Sequence, residues 1–261
     1  MQGTFKPRRV QLLGGAVDLV TPREVLGAIE RATQRATPVL IANHNAHSLF
    51  LVRRSAELRR FFAIADLIQI DSTPLIAWGR LMGLPARRAM RSTYLDWRDD
   101  FWTLAEARRW RVFYLGGKPG VAAKAAERLG ARYPNTVIAH RDGYFDAAPN
   151  SPDNDSVRQV IADFDPDVLM VGMGMPRQEL WALRNRDVMR RGAILTVGAA
   201  FDYEAGAQWA PPRWTGRLGV EWLARLVSQP RRLSSRYLIE PWWLVGPALR
   251  DIGAAVSRAP R

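Results

Sequence analysis

The feature that most limits how this chain can fold is a rhythm in its first two hundred residues. Short apolar runs rich in β-branched side chains alternate with longer stretches of helical periodicity. Pro38–Ala42 (PVLIA) precedes a helix-like stretch from Ala46 to Ile64, Ala65–Ile70 leads into Pro74–Leu84, and Arg111–Leu115 (RVFYL) leads into the Ala-rich Val121–Tyr133. Val137–His140 is followed by the helical pattern Asn154–Phe164 and Asp167–Val171 (DVLMV) by Arg177–Arg191, while Ala193–Val197 (AILTV) closes the series. Strand-then-helix repetition predicts an α/β fold: a mostly parallel sheet with helices on both faces. Ligands of such sheets bind at the loops leaving the carboxyl ends of the strands.

After Trp209 the rhythm stops. Ala210–Trp214 (APPRW) is a proline break, and the remainder of the chain is helical, Arg-rich and Trp-rich. The expected organisation is a sheet domain over 1–204 and a helical appendage over 205–261. No apolar run approaches the ~20 residues that cross a bilayer. The basic N-terminus lacks the uninterrupted apolar segment of a signal peptide, since Gln11 and Asp18 interrupt Val10–Val20. The expectation is a chain that neither spans a membrane nor is secreted by that route. There is no cysteine, which removes disulfides and thiolate metal sites and fits a reducing cytosol.

Formal charge is +13, so an anionic partner is expected: nucleic acid, acidic lipid or a phosphorylated substrate. From Ala205 to Arg261 there are nine Arg and no Lys, against Glu221, Glu240 and Asp251. The planar guanidinium suits bidentate phosphate contacts, so this composition points to phosphate or lipid headgroups. A nucleic-acid-binding protein is a rival on charge alone, but no recognisable binding module, basic helix or aromatic RNA-binding motif accompanies it. The expectation is therefore no nucleic acid.

Four loops carry polar chemistry. Gly116-Gly117-Lys118-Pro119-Gly120 follows RVFYL and opens a helix. It fits a diphosphate cradle and equally an ordinary tight turn, since it matches neither a Walker A loop nor G-x-G-x-x-G. A dinucleotide-dependent oxidoreductase, the second rival, lacks that fingerprint. Gly172-Met173-Gly174-Met175-Pro176-Arg177-Gln178-Glu179 follows DVLMV, and its Gln and Glu fit either nucleotide reading or helix capping. Asp71 follows ADLIQI at a strand's carboxyl end, where a carboxylate serves as general base or as a cap for the next helix. Asn43-His44-Asn45-Ala46-His47 packs polar groups after PVLIA, but an i, i+3 His pair without a carboxylate cluster is a poor zinc signal. Asp165-Pro166-Asp167 and Asp153-Asn154-Asp155 precede elements and suit turns and caps, so no metal is assigned. In the appendage, Arg232 and Arg236 are i, i+4, and Pro241-Trp242-Trp243 places paired indoles beside arginines, a composition shared by membrane interfaces and by cores.

Taken in order, these segments resemble the WecG/TagA/CpsF family of bacterial glycosyltransferases, from about Val10 to about Tyr237. The match runs through NHNAHSL at 43–49, ADLIQID at 65–71, RSTYLDW at 91–97 and VFYLGGKPGVAAKAAERL at 112–129. It continues through RDGYF at 141–145, PDVLMVGMGMPRQELW at 166–181, VGAAFDYEAG at 197–206 and RLGVEWLARLVSQPRRLSSRY at 217–237. The resemblance implies a Rossmann-like core with a membrane-associating appendage. It implies an inverting, metal-independent enzyme, without a cofactor, that moves a sugar from a UDP-sugar to a polyprenyl-diphosphate-linked sugar. The work is done peripherally, on the anionic cytoplasmic face of the membrane, in cell-surface polysaccharide assembly.

The resemblance also implies roles for single residues. Asp71 takes the base position with Asn45 beside it, and Arg91 matches the basic residue before the family's T-G-x-D-L segment. Nucleotide-sugar contacts are implied for Asn43, Gly116, Gly117, Gly143, Tyr144, Gly174, Pro176, Gln178 and Glu179. Arg225, Arg232 and Arg236 match appendage arginines for the diphosphate of the lipid acceptor. The chain departs from the family at Asn43 (usually Thr), at Ser72 after Asp71 (usually Gly), at Tyr94 (usually Gly) and at Ala210-Pro211-Pro212 (usually Arg-Ala-Pro). Three of these departures lie near the implied sugar site and leave both N-acetylmannosamine and glucose open as the donated sugar.

Overall fold

The computed structural model describes residues 7–209, 215, 221–228 and 230–257. All six predicted strands form, as β3 (Val39–His44), β4 (Leu67–Ile70), β5 (Arg111–Gly116), β6 (Val137–Arg141), β7 (Val168–Gly172) and β8 (Ala193–Thr196). They make one sheet in the order β4-β3-β8-β7-β5-β6, with every pair parallel. Apart from the edge strand β6, the strands are buried on both faces, which is why their sequences read as apolar runs and not as alternating ones.

Two layers of side chains separate along each strand. Val112 and Tyr114 of β5 face one side, where Trp97, Phe101 and Trp102 of the helix Tyr94–Arg108 pack with Phe201. Phe113 and Leu115 face the other, against Phe61, Ile161 and Trp181 from the helices Ala56–Ile64, Pro152–Phe164 and Arg177–Arg184. Helices thus cover both faces, as the strand-helix rhythm predicts.

Three elements differ from the sequence expectation. The stretch from Ala46 to Ile64 is two helices, Ala46–Arg54 and Ala56–Ile64, because Ser55 adopts extended backbone and its Oγ accepts a hydrogen bond from Leu58 N at 3.2 Å. A serine that caps a new helix ends the old one. The predicted helix Arg177–Arg191 stops at Arg184, where Asn185 turns its side chain back onto Trp181 O at 2.9 Å. Ahead of the sheet lies an antiparallel hairpin, β1 (Arg9–Leu12) and β2 (Gly15–Asp18), turned at Leu13-Gly14 with both residues at positive φ. Its Asp18 carboxylate, fully buried, pairs with Arg9 and accepts from Ile68 N at 2.7 Å, tying the hairpin to β4.

Past β8 the described chain is helical: Ala200–Glu204, Glu221–Ser228 and Pro230–Ser234, a π turn at Ser235–Ile239, a 3-10 turn at Glu240–Leu244, and Val245–Val256. This segment returns to the hairpin and to the helix after β3. Asp251 Oδ2 accepts from Leu13 N at 2.8 Å and from Trp78 Nε1 at 2.9 Å. Leu244 enters a third apolar cluster with Leu12, Leu49, Ile70 and Leu75. Arg54 stacks over Phe50 and Trp243, at 4.3 and 4.6 Å from the ring centroids. Replacing Asp251 with Ala leaves two donors without an acceptor, at a cost of ~1–3 kcal/mol. The expected result is a lower Tm and faster amide exchange across 245–256, with exchange in β3, β7 and β8 unchanged; equal exchange in the terminal helix would contradict the anchoring role.

Candidate active site

Because the six strands run in one direction, their carboxyl ends open onto one edge of the sheet, and a cavity of about 800 Å³ lies there. All six ends contribute to its wall: Asn43 and Asn45 from β3, Gln69 and Asp71 from β4, Gly117 from β5, Gly143 and Tyr144 from β6, Gly174 and Gln178 from β7, and Thr196 and Gly198 from β8. Arg236 and Glu240 close it from the C-terminal segment.

The glycines in this wall have steric reasons. Gly116 and Gly172 are register partners on β5 and β7. A Cβ on Gly116 would collide with the Gly172 carbonyl, and one on Gly172 with the Tyr114 hydroxyl and the Gly198 carbonyl. Gly116 therefore shapes the site from behind, while Gly117 lines it. Gly174 has φ +81, a conformation open to glycine, and a Cβ there would meet nothing, so its requirement is the backbone turn itself. The Gln178 carbonyl oxygen accepts from Gly174 N at 3.2 Å and from Gly198 N at 3.1 Å, clamping the loops after β7 and β8 together.

Glu179 does not line the cavity. It lies 1 % exposed beneath it, where Oε1 accepts from Gln178 Nε2 at 2.7 Å and Oε2 has no hydrogen-bond partner among the described residues. Burial raises its pKa to about 7, against opposing contributions that include Arg236. Pro176 is likewise absent from the wall, which takes Met175 and Arg177 on either side of it. Asn43 Oδ1 and Thr196 Oγ1 are buried without a hydrogen-bond partner among the described residues, and both residues line the cavity. Polar atoms left unpaired in a cavity wall are groups that a polar ligand satisfies.

Asp71 follows β4 directly, its N–H held by His44 O at 2.8 Å. Next to it, Arg91 pairs with Ile70 as an isolated parallel bridge and reaches Asp96 at 3.5 Å. Asn45 caps the helix Ala46–Arg54: its Oδ1 accepts from Ser48 N at 3.0 Å and from Arg236 at 3.4 Å. His47 Nδ1 bonds Glu240 Oε2 at 2.6 Å. Burial and Arg236 lower the His47 pKa, and the hydrogen bond and charge of Glu240 oppose them. His44 is a core residue stacked on Phe62 and bonded to Ser48 Oγ at 2.8 Å, its pKa lowered to about 3 by burial.

Both Asp-x-Asp segments serve structure. Asp165 ends a helix in the left-handed conformation, Asp167 accepts from Arg111 N at 2.9 Å, and Asn154 Oδ1 accepts from Trp181 Nε1 at 2.9 Å. Among the described residues no three His, Asp or Glu side chains converge as a cation site.

A second cavity, of about 500 Å³, adjoins the first. Asn45, His47, Asp71, Gln208, Leu233 and Arg236 line both, so Asp71 stands on the shared wall. Arg91 lines only the second cavity. The side chains of Arg225 and Arg232, and the segment Ala210–Pro212, lie outside the described residues. Gln69, Thr196 and Glu240 also line the cavity, and the sequence alone did not point to them as part of this site. Polar residues near the carboxyl ends of LIQI and AILT were the available signal for the first two.

The Glu179 shift makes a stability prediction. A carboxyl whose folded pKa lies above its ordinary value holds its proton more tightly when folded, so stability is lost as pH rises from the ordinary carboxylate range to about 7. Glu179→Gln is expected to leave Tm near that of the parent at pH 5 and to raise it at pH 8. A Tm difference independent of pH would contradict the buried, proton-retaining carboxyl.

With this geometry in place, comparison with known proteins gives a consistent result. The model of the Glycosyl transferase WecG/TagA/CpsF family matches residues 10–256. Relatives include the N-acetylglucosaminyldiphosphoundecaprenol N-acetyl-beta-D-mannosaminyltransferases of Staphylococcus aureus strains MW2 and NCTC 8325 / PS 47. Each is 26 % identical over 235 residues, covering 86 % of this chain and 87 % of the relative. Matched along nearly its whole length, the chain belongs to the WecG/TagA/CpsF family of glycosyl transferases.

Proposed function

We propose that this chain transfers a hexose or N-acetylhexosamine from a UDP-sugar to a sugar carried on a polyprenyl diphosphate. In this reading the transfer proceeds with inversion and without a metal ion, at the anionic cytoplasmic surface of the membrane. The observation that carries the reading is the position of Asp71, the carboxylate on the wall shared by two adjoining cavities. A transferase brings two substrates to one reacting pair of atoms, and a base belongs where they meet. The larger cavity, with its glycine loops, two helix starts, Lys118 and Arg236, suits the nucleotide diphosphate. The acceptor hydroxyl enters from the smaller one.

The reaction is a single displacement. Asp71 takes the proton of the acceptor hydroxyl as its oxygen bonds to the anomeric carbon, the bond from that carbon to the UDP oxygen breaks, and UDP departs with the electron pair. One displacement on an α-linked donor gives a β product, the configuration that the names of the Staphylococcus aureus relatives carry, whose acceptor is a diphosphoundecaprenol-linked N-acetylglucosamine. Charge growing on the leaving diphosphate is met by Arg236, Lys118 and backbone N–H groups at the helix starts. N-acetylmannosamine and glucose both remain compatible as the donated sugar.

Support for the membrane surface comes from the C-terminal segment, where Leu238, Ile239, Trp242, Trp243, Leu249 and Val256 are exposed and Trp243 meets Arg53 and Arg54. No described helix is long and apolar enough to cross a bilayer, and in this reading the exposed apolar and aromatic side chains rest in the interface.

Asp71→Ala is expected to lower kcat by ~10²–10⁴-fold while UDP still binds, with chelator leaving the parent rate unchanged. Normal turnover of the variant removes Asp71 from the role, and loss of the parent rate in chelator removes the metal-free mechanism. Replacing Trp242 and Trp243 with Ser is expected to reduce sedimentation with vesicles containing phosphatidylglycerol; unchanged sedimentation contradicts the membrane face.

A further inference from the structure

Between β4 and the helix Tyr94–Arg108 the chain makes an excursion from the edge of the sheet. The helix Thr73–Leu81 leads out, and the 3-10 turn Arg88–Met90 leads back to Arg91, which bridges to Ile70 of β4. At the tip, Leu84 N donates to Gly79 O at 2.9 Å and Gly83 N to Arg80 O at 3.0 Å, with Gly83 at φ +74. The helix therefore ends in a tight reversal. That reversal turns Leu84 and Ala86 inward beside Gly79, into the apolar cluster that also holds Leu12, Trp78 and Ala248. Leu81 is left outside, 71 % exposed, with Met82 half-buried next to it.

Charge around this tip is one-sided. From Arg80 to Arg91 there are four Arg and neither Asp nor Glu. Leu81–Ala86 (LMGLPA) is an uncharged run held between Arg80 and the pair Arg87-Arg88, and all three of these arginines are exposed. A single exposed leucine needs no explanation on an ordinary surface. Here it sits at the end of a projecting, uncharged turn flanked by guanidinium groups, the arrangement that matches hydrocarbon lying under a layer of phosphates.

We propose that this tip is a second membrane contact: Leu81 and Met82 enter the interface of an anionic bilayer while Arg80, Arg87 and Arg88 meet lipid phosphates. The inference rests on the proposed work at a membrane surface and adds a contact made by the sheet domain, apart from the C-terminal segment. Two observations favour a bilayer over a protein partner. One is the charge complementarity just described. The other is continuity with the C-terminal face. Trp78 Nε1 donates to Asp251 Oδ2 at 2.9 Å, which fastens the excursion to the helix Val245–Val256. On that helix Leu249, Ile252 and Val256 are exposed at spacings of i, i+3 and i+7, one apolar stripe. Two contacts on linked elements bind more tightly than either alone. They also restrict how the chain swivels, and so how the carboxyl edge of the sheet stands relative to the lipid.

The test uses the full chain, whose lack of cysteine lets a single introduced thiol mark the tip uniquely. Met82→Cys carrying an environment-sensitive NBD label is mixed with vesicles of phosphatidylcholine and phosphatidylglycerol. A blue shift is expected, with quenching by lipids spin-labelled in the acyl chain. The same label at Ala162→Cys, exposed on the helix Pro152–Phe164 outside the tip's cluster, is expected to stay unchanged. Leu81→Ser is expected to weaken sedimentation with these vesicles by ~5–30-fold. Arg80→Glu combined with Arg87→Glu is expected to weaken it as well, with UDP binding kept in both variants as the sign of folding. Should the parent chain sediment while the tip label is silent, or while Leu81→Ser sediments equally, the tip contact is overturned and the C-terminal face survives. A label response that follows protein concentration without vesicles overturns it too, in favour of a contact between copies of the chain. A parent chain that does not sediment removes both membrane contacts.

Discussion

Six strands that all point one way deliver six loops to one edge of the sheet, and the rest of this molecule depends on that. A parallel sheet leaves each strand's last carbonyls and next N–H groups at the same edge, and the helix starts beyond them add partial positive charge there. In this chain the edge is populated from β4 by Asp71, from β3 by Asn43 and Asn45, and from β5, β7 and β8 by glycine-bearing turns. The Gln178 side chain then locks two of these turns together by accepting from both Gly174 and Gly198. Pre-organisation of the polar cavity is thus a property of the sheet's polarity plus one amide side chain.

The open side of that edge is closed by residues far away in sequence. Glu240 meets His47, Arg236 meets Asn45, and Asp251 meets Leu13 and Trp78, so the C-terminal segment is fastened at three points to the elements around β3 and β4. Four of these fastening residues, Asn45, His47, Arg236 and Glu240, are walls of the larger cavity themselves. Closure and cavity lining therefore share side chains, and the wall is complete only with the C-terminal segment docked. The glycosyl transferase family to which the chain belongs supplies the reaction class, and the arrangement of Asp71 between two cavities supplies a physical route for it.

The sheet was legible because buried parallel strands have nothing to alternate with, and six apolar runs stand out between helical patterns. Asp71 and the Gly174 turn were legible for a related reason: polar or glycine residues at the end of such runs have a predictable address. Other features were hidden by local conflicts. The turn at Leu13-Gly14 puts a leucine at positive φ, against its own preference, so the Gly14-Gly15 pair in the sequence marks the hairpin one residue late. The helix Tyr94–Arg108 buries Trp97, Phe101 and Trp102, residues that favour strands in isolation, and its identity comes from packing on the sheet. Gln178 and Glu179 are neighbours in the first turn of one helix, yet Gln178 lines the cavity and Glu179 is buried outside its wall, a division that no local pattern encodes. The contact between His47 and Glu240 spans 193 residues, and no local pattern encodes it.

In the proposed reaction Asp71 stands between a nucleotide diphosphate and an incoming acceptor. A crystal structure of the complex with UDP tests it most directly. The diphosphate is expected beside Gly117, Gly174 and Arg236 in the larger cavity, with its terminal phosphate on the side of Asp71. UDP bound in the smaller cavity, or with its terminal phosphate turned away from Asp71, would contradict it.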